Sequence, residues 1–327
     1  MKIVRSAVTL VTLPNARRGA LLTLGDEAGH EARGEATPLP GYSPDTVEDV
    51  VPVLERLTTA LGDGGDSVDA IGRRLDAARE LERVPSARFA LETALFSLLA
   101  ARTKKTVAEL FGAPSSRRVA LNGVVTDSDS SKWLALAKAM HDRGLATVKI
   151  KIGKGDFARE LAALEQVRNE LPGIALRLDA NGSLGEDAGT KLDRLLDVRP
   201  DFVEEPVSDA ALLALGRRAV AWAADESLTD PDVRERLLVA DGIGAIVLKP
   251  AILGGFLRCR ALAAEAASRG LGVVVTHLFD GDVAHAATCE LALSIDGVLA
   301  CGLDRHAGLR AESPHLRVPG FVVGARA

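Results

Sequence analysis

Two rhythms of apolar and polar positions divide this chain near residue 113. Up to about residue 35 the apolar positions alternate. That pattern predicts a β-meander, with turns near Pro14-Asn15 and over residues 26–29. A Pro- and Gly-rich loop over 37–44 follows, and Asp45 or Thr46 is placed to cap a helix starting near Val47. Helical periodicity continues through further segments, including residues 86–96. These elements predict an α+β unit over residues 1–113 that ends at the linker 113–116.

From Val119 onward, short apolar runs alternate with amphipathic helical stretches such as 159–170 and 257–269. Eight runs are recognisable: 119–124, 147–151, 175–179, 202–204, 221–225, 245–249, 272–276 and 298–302. Strands joined by crossover helices argue for a parallel barrel rather than an open sheet. No full helix follows the eighth run. The expected fold is therefore α/β: a (β/α)7β barrel, a modified TIM barrel, over 114–309, with 1–113 as an α+β capping domain. The tail, about 310–327, contains a strand-like stretch expected to return to the first domain.

Five of the runs end in chemistry: Lys149-Ile150-Lys151, Asp179-Ala180-Asn181, Glu204-Glu205-Pro206, Asp225-Glu226-Ser227 and Lys249-Pro250. They recur at intervals of roughly 21 to 28 residues, the length of a strand plus a helix in such a barrel, whose active site lies at the strand C-termini. Lys149 and Lys151 are two apart on a strand and so point the same way, into the barrel. Two close ammonium groups are expected to depress each other's pKa and free one as a base. Three carboxylates at successive strand ends suit a hard divalent cation, Mg2+ with Mn2+ as a substitute. Adjacent acids point to opposite faces, so Asp179, Glu204 and Asp225 are the expected ligands. Asn181, Glu205 and Glu226 are the expected supporting residues behind them. Any one of these acids alone reads equally well as a turn residue or a helix N-terminal acid. Gly254-Gly255 offers backbone N–H groups for a substrate carboxylate, although helix packing explains a glycine pair as well. Thr276-His277 and Asp304-Arg305-His306 end the seventh and eighth runs, open to substrate contact or to a structural role. His30, His141, His285 and His315 show no ligand spacing.

The bulk numbers narrow the class. A net charge of −5 argues against nucleic-acid partners, and no apolar stretch is long enough to predict a membrane span. Cys259, Cys289 and Cys301 lack metal or disulfide spacing, which fits a reducing cytoplasm. The expected partner is a small-molecule carboxylate; the oligomeric state stays open. A barrel that only binds a ligand is disfavoured, because simple binding does not need two bases.

As a set, these motifs resemble the enolase superfamily, specifically its muconate-lactonizing subgroup, over nearly the whole chain. Residues 34–43, Gly-Glu-Ala-Thr-Pro-Leu-Pro-Gly-Tyr-Ser, closely resemble the N-terminal signature of o-succinylbenzoate synthases, and residues 85–90 are similar to another segment of those enzymes. The resemblance implies a Mg2+-dependent syn-dehydration of a cyclohexadiene carboxylate (SHCHC) through an enediolate intermediate, in menaquinone biosynthesis. It implies Lys151 as the base and Lys249 as the stabilising cation opposite; Lys149 and Thr276 are expected near substrate from their places at the strand ends. Relatives with the same ring racemise N-succinylamino acids or epimerise dipeptides. The Asp-x-Asp usual in dipeptide epimerases after the eighth strand is here Asp304-Arg305-His306. The longer lid of the family between residues 14 and 17 is almost absent.

Overall fold

The computed structural model describes residues 1–59 and 61–325. Strands β1 (Ile3–Thr12), β2 (Arg18–Asp26) and β3 (Glu31–Ala36) form the antiparallel meander that the alternation predicts. The β1–β2 turn is tight, with Leu13 N donating to Arg17 O and Ala16 at φ 64°. Thr46, not Asp45, caps helix Val47–Thr59: its Oγ1 accepts from Asp49 N while Asp49 Oδ2 accepts from Thr46 N. Asp45 instead accepts from Ser86 N and Oγ, tying down the start of helix Pro85–Thr103. That helix is buried along nearly its whole length and packs against β2 and β3.

Beyond the linker come β4 (Arg118–Ala120), β5 (Asn122–Val125), β6 (Thr147–Lys151), β7 (Ala175–Asp179), β8 (Val203–Glu204), β9 (Trp222–Ala224), β10 (Ile243–Leu248) and β11 (Gly272–Val275). Strands β5 to β11 make one curled, parallel, seven-stranded sheet in chain order. The first apolar run thus divides between β4 and β5. The eighth run, 298–302, is not a regular strand. It lies between the sheet's two outer strands and is held by isolated bridges, Leu121 to Cys301 on one side and Thr276 to Gly302 on the other.

Alternation along the strands sorts the sheet's two faces. Trp222, Ala224, Ile246 and Leu248 join the main core, whereas Phe202, Ala223, Ala245, Val247 and Val274 form a small separate cluster. The register places Lys151 opposite Asp179, and Asp179 opposite Glu204. One row of side chains across three strands therefore carries the charges.

The tail corrects one expectation. Strand β12 (Phe321–Val323) pairs antiparallel with β4, beside the sheet, rather than with the meander. A tail contact with the meander does exist, from Arg310 to the Thr12 carbonyl. The pairing explains why: Val322 is fully buried beside β4, and Leu121 N donates to Gly320 O. Residues 326–327 of the expected tail lie outside the described residues.

The meander and its helices meet the sheet along a seam of bolts. The Glu35 carboxylate accepts from Gly281, Val283 and Ala284 N at the start of helix Asp282–Leu293. The Arg17 guanidinium donates to the carbonyls of Leu278 (2.7 Å) and Phe279 (2.5 Å). Thr37 Oγ1 donates to Asp280. Together they fix the loop after β11.

Candidate active site

The strand ends converge on a cavity of about 340 Å³. Lys149, Lys151, Asp179, Asn181, Asp225, Glu226, Lys249 and Thr276 all line it. Leu39 and Tyr42 reach it from the N-terminal loop, and Phe279 from the loop after β11.

On the β6–β7 side, Lys149 Nζ lies 3.0 Å from Asp179 and 2.9 Å from Glu204. Lys151 Nζ lies 3.2 Å from Asp179 and donates to Asn181 Oδ1 at 2.5 Å. On the β9–β10 side, Lys249 Nζ lies 2.5 Å from Asp225 and 3.1 Å from Glu226. Asn181 Nδ2 donates to Glu226 Oε1 and links the two sides. The pKa expectation for the paired lysines is corrected at Lys149. Burial alone would lower it, but Asp179, Glu204 and Asp225 outweigh burial and hold the ammonium form. The carboxylates face it across the sheet, a pairing that strand spacing does not reveal. The same holds for Lys249 between Asp225 and Glu226. Despite its burial, Asp179 is held well below the usual carboxylate range by Lys149 and Lys151.

Asp225 is pulled both ways. Burial pushes it up, Lys249 pulls it down, and crowding by Glu226 and Glu204 pushes it up again. A raised Asp225 and a raised Lys249 compete for one proton. The short contact to Lys249 supports the ammonium–carboxylate form, since a charged pair gains most in so dry a place.

Among the described residues no three carboxylate, imidazole or thiolate groups stand as a ready-made metal cluster. The ammonium groups of Lys149 and Lys249 sit against Asp179, Glu204 and Asp225 instead. Two buried oxygens in this ring nevertheless lack partners, Oδ1 of Asp225 and Oε2 of Glu226. Orphan acceptors beside crowded carboxylates are what a hard divalent cation satisfies, so the donor set fits Mg2+.

Glu205 turns away from the cavity, with φ at 42°. Its carboxylate accepts from Asp225 N (2.7 Å) and Ser227 N (3.1 Å), and from the Ser227 hydroxyl. It thereby shapes the turn that presents Asp225 and Glu226. Thr276 Oγ1 donates to Gly302 O at 2.9 Å and braces the seventh and eighth runs against each other.

Gly254 and Gly255 do not join the site, which corrects their expected role. They are not among the cavity's lining residues, and both N–H groups are spent on the Pro250 carbonyl. The carboxyl group at this helix start belongs to the chain itself: Glu92 accepts from Phe256 N. A Cβ on Gly255 (φ 94°) would meet Glu92 Oε2 at 2.0 Å, so glycine is demanded by close approach. The lining residues that sequence reasoning missed include Asn122, Met140 and Arg143, as well as Tyr42 and Phe279. Arg143 Nη2 donates to both carboxylate oxygens of Asp304, at 3.0 and 2.8 Å.

Comparison with known proteins agrees with this geometry. Residues 132–315 match the enolase C-terminal domain-like family. An o-succinylbenzoate synthase from Desulfotalea psychrophila is 28% identical over 298 residues, 81% of this chain and 80% of that protein. In fold, the chain is similar to a dipeptide epimerase from Enterococcus faecalis (TM-score 0.86, 20% identity, 99% and 97% of the two chains). It is also similar to one from Methylococcus capsulatus complexed with Mg and the dipeptide L-Arg-D-Lys (TM-score 0.85, 23% identity, 99% and 98%). With a curled parallel α/β sheet, acids and lysines at its strand ends, and a family match over more than half its length, the chain belongs to the enolase superfamily.

Proposed function

We propose that the chain is a Mg2+-dependent o-succinylbenzoate synthase, which removes water from SHCHC in menaquinone biosynthesis in the cytoplasm. The observation that carries this reading is the placement of Lys151 and Lys249 on one cavity, from β6 and β10, with the acids between them. The sequence likeness to o-succinylbenzoate synthases supports the choice of substrate. On this reading the sheet and the 298–302 segment form a closed (β/α)7β barrel over 114–309, capped by residues 1–113.

Asp179, Glu204 and Asp225 would hold Mg2+, which when bound supplies positive charge against the substrate carboxylate. Lys151, as the neutral amine, takes the α-proton at Nζ, and Asn181 sets the direction of that amine. The same amine then returns a proton to the departing hydroxyl, because loss of both groups from one face needs only one base. Lys249 remains an ammonium between Asp225 and Glu226 and stabilises developing negative charge from the other side. Tyr42, Leu39 and Phe279 border the cavity.

The test is a spectrophotometric dehydration assay with SHCHC and Mg2+. Turnover by the wild type and its loss in Lys151→Ala are expected. Racemisation of an N-succinylamino acid or epimerisation of a dipeptide, with no SHCHC turnover, would replace this reading with the isomerase that the same lysine pair could serve.

A further inference from the structure

Lys151, the proposed base, ends β6, and one buried acid holds the loop that follows it. Glu160, in the first turn of helix Phe157–Glu170, turns its carboxylate back onto residues 153–155. It accepts from three successive backbone N–H groups: Gly153 at 2.8 Å, Lys154 at 3.2 Å and Gly155 at 2.9 Å. Lys154 and Gly155 are exposed, so water meets their N–H groups once the carboxylate is removed. The acid therefore matters more to the path of this loop than to the stability of the fold. Three N–H groups converging on one anion fix a loop conformation, whereas water imposes none.

The loop reaches Lys151 by two routes. Along the chain, only Ile152 separates Gly153 from Lys151, and Ile152 N donates to Asp179 O at 2.8 Å. Across the strand ends, Gly153 (φ 81°) lies so close to Ser183 that a Cβ on it would meet Ser183 Oγ at 2.0 Å. Ser183 Oγ donates to the Ala180 carbonyl at 2.5 Å and braces the turn that carries Asn181. Asn181 has a left-handed backbone (φ 42°) and accepts from Lys151 Nζ at 2.5 Å. We infer that Glu160 is a positioning residue: by pinning residues 153–155 it sets where the Lys151 amine stands relative to Asn181 and the cavity. This rests on the reading of Lys151 as the base. A reacting group misplaced by about 1 Å loses about 100-fold in rate, while contacts elsewhere in the cavity keep their strength. The effect of Glu160 therefore falls on kcat rather than on KM.

The experiment compares the wild type with Glu160→Gln, Glu160→Ala and Glu160→Asp, with Mg2+ present and well below the melting temperature of each. Glu160→Gln keeps the length but turns an NH2 group toward the loop. Its kcat for SHCHC should fall about tenfold, and that of Glu160→Ala about 100-fold, with KM and Mg2+ affinity within about twofold of wild type. Glu160→Asp keeps two charged oxygens and should recover most of the loss seen in Glu160→Gln. Amide hydrogen exchange reads the brace directly. In Glu160→Gln, residues 153–155 should exchange about tenfold faster, the worth of one hydrogen bond to a charged group, while β6 and β7 stay as protected as in the wild type. A merely structural brace would lower the melting temperature and leave kcat unchanged, and that result overturns the proposal. Unaltered exchange at 153–155, a loss carried by KM instead of kcat, or no recovery in Glu160→Asp overturns it as well. SHCHC turnover by the wild type is scored separately. Turnover with an unchanged kcat in Glu160→Gln sinks this inference alone. If the wild type instead converts an N-succinylamino acid or L-Ala-L-Glu, only the dehydratase reading fails, and the same kcat comparison on that substrate decides this inference.

Discussion

Buried acids occupy two settings in this molecule, and the contrast separates reactive acids from architectural ones. At the strand ends, Asp179, Glu204 and Asp225 face full positive charges on Lys149, Lys151 and Lys249. Along the seam, Asp45, Glu35 and Glu92 face mainly backbone N–H groups at helix starts. Burial pushes these seam acids up, Asp45 to about 6, Glu35 to about 7 and Glu92 to about 8, and the amide dipoles, joined at Glu92 by the Arg88 guanidinium 4.0 Å away, only partly oppose it. Asp179, equally buried, stays low because its partners are ammonium groups. A full charge on a flexible side chain can be exchanged for a metal or a substrate. An amide dipole cannot be withdrawn without unwinding the helix that owns it.

The sharpest way to break this contrast is at Lys151. Lys151→Ala should lower SHCHC turnover by about 10³-fold, the usual worth of a positioned proton-transfer group. Normal turnover in that variant would remove the base from the reactive set. Next, Asp225→Asn should weaken Mg2+ by about 100-fold, because it takes one anionic oxygen from the donor set. Titration calorimetry showing wild-type affinity would place Asp225 with the architectural acids.

A seam acid should behave in the opposite way, through stability. Glu35→Ala leaves three N–H groups at one helix start unmet, and should cost about 2 kcal/mol in denaturant unfolding. A full-strength Mg2+ site should survive in that variant. The smallest effect is a slope. Glu92 has a folded-state value near 8 against an ordinary 4.5, so the folded chain holds the extra proton between those limits. Its contribution is fully present below pH 4.5 and is lost as pH rises through 8. Over that window wild type should lose at most about 1.4 kcal/mol per pH unit relative to Glu92→Gln. Parallel stability–pH curves for the two proteins, from calorimetric melting, would show that Glu92 is already charged.

What the sequence disclosed follows from range. Lys149, Lys151, Asp179, Glu204, Asp225 and Lys249 each end an apolar run, and the two-residue period of a strand fixes their direction locally. The charge state of Lys149 depends on acids one to three strands away, so reasoning from its neighbour Lys151 gave the wrong sign. The 298–302 run has the composition of a strand, but only Cys301 and Gly302 form bridges. Gly254-Gly255 looked like an anion cradle because the carboxyl group that uses this helix start, Glu92, lies in another helix. Its signal was present as a lone acid inside the apolar stretch 89–96. Arg143 carried no local mark, since its partner Asp304 lies 161 residues away and meets it only across the sheet.

The bridges at Cys301 also bear on how the molecule assembles. Strand β5 has one neighbour, β6, close by in sequence, but Leu121 beside it meets Cys301 about 180 residues later, and β4 pairs with Phe321–Val323 later still. Loop-closure entropy makes such distant pairings slow, so ring formation should trail the local βα units during folding. On the ribosome, the earliest strands of the ring must wait with an open edge until nearly the whole chain has emerged, and that interval is when this protein is most exposed to aggregation.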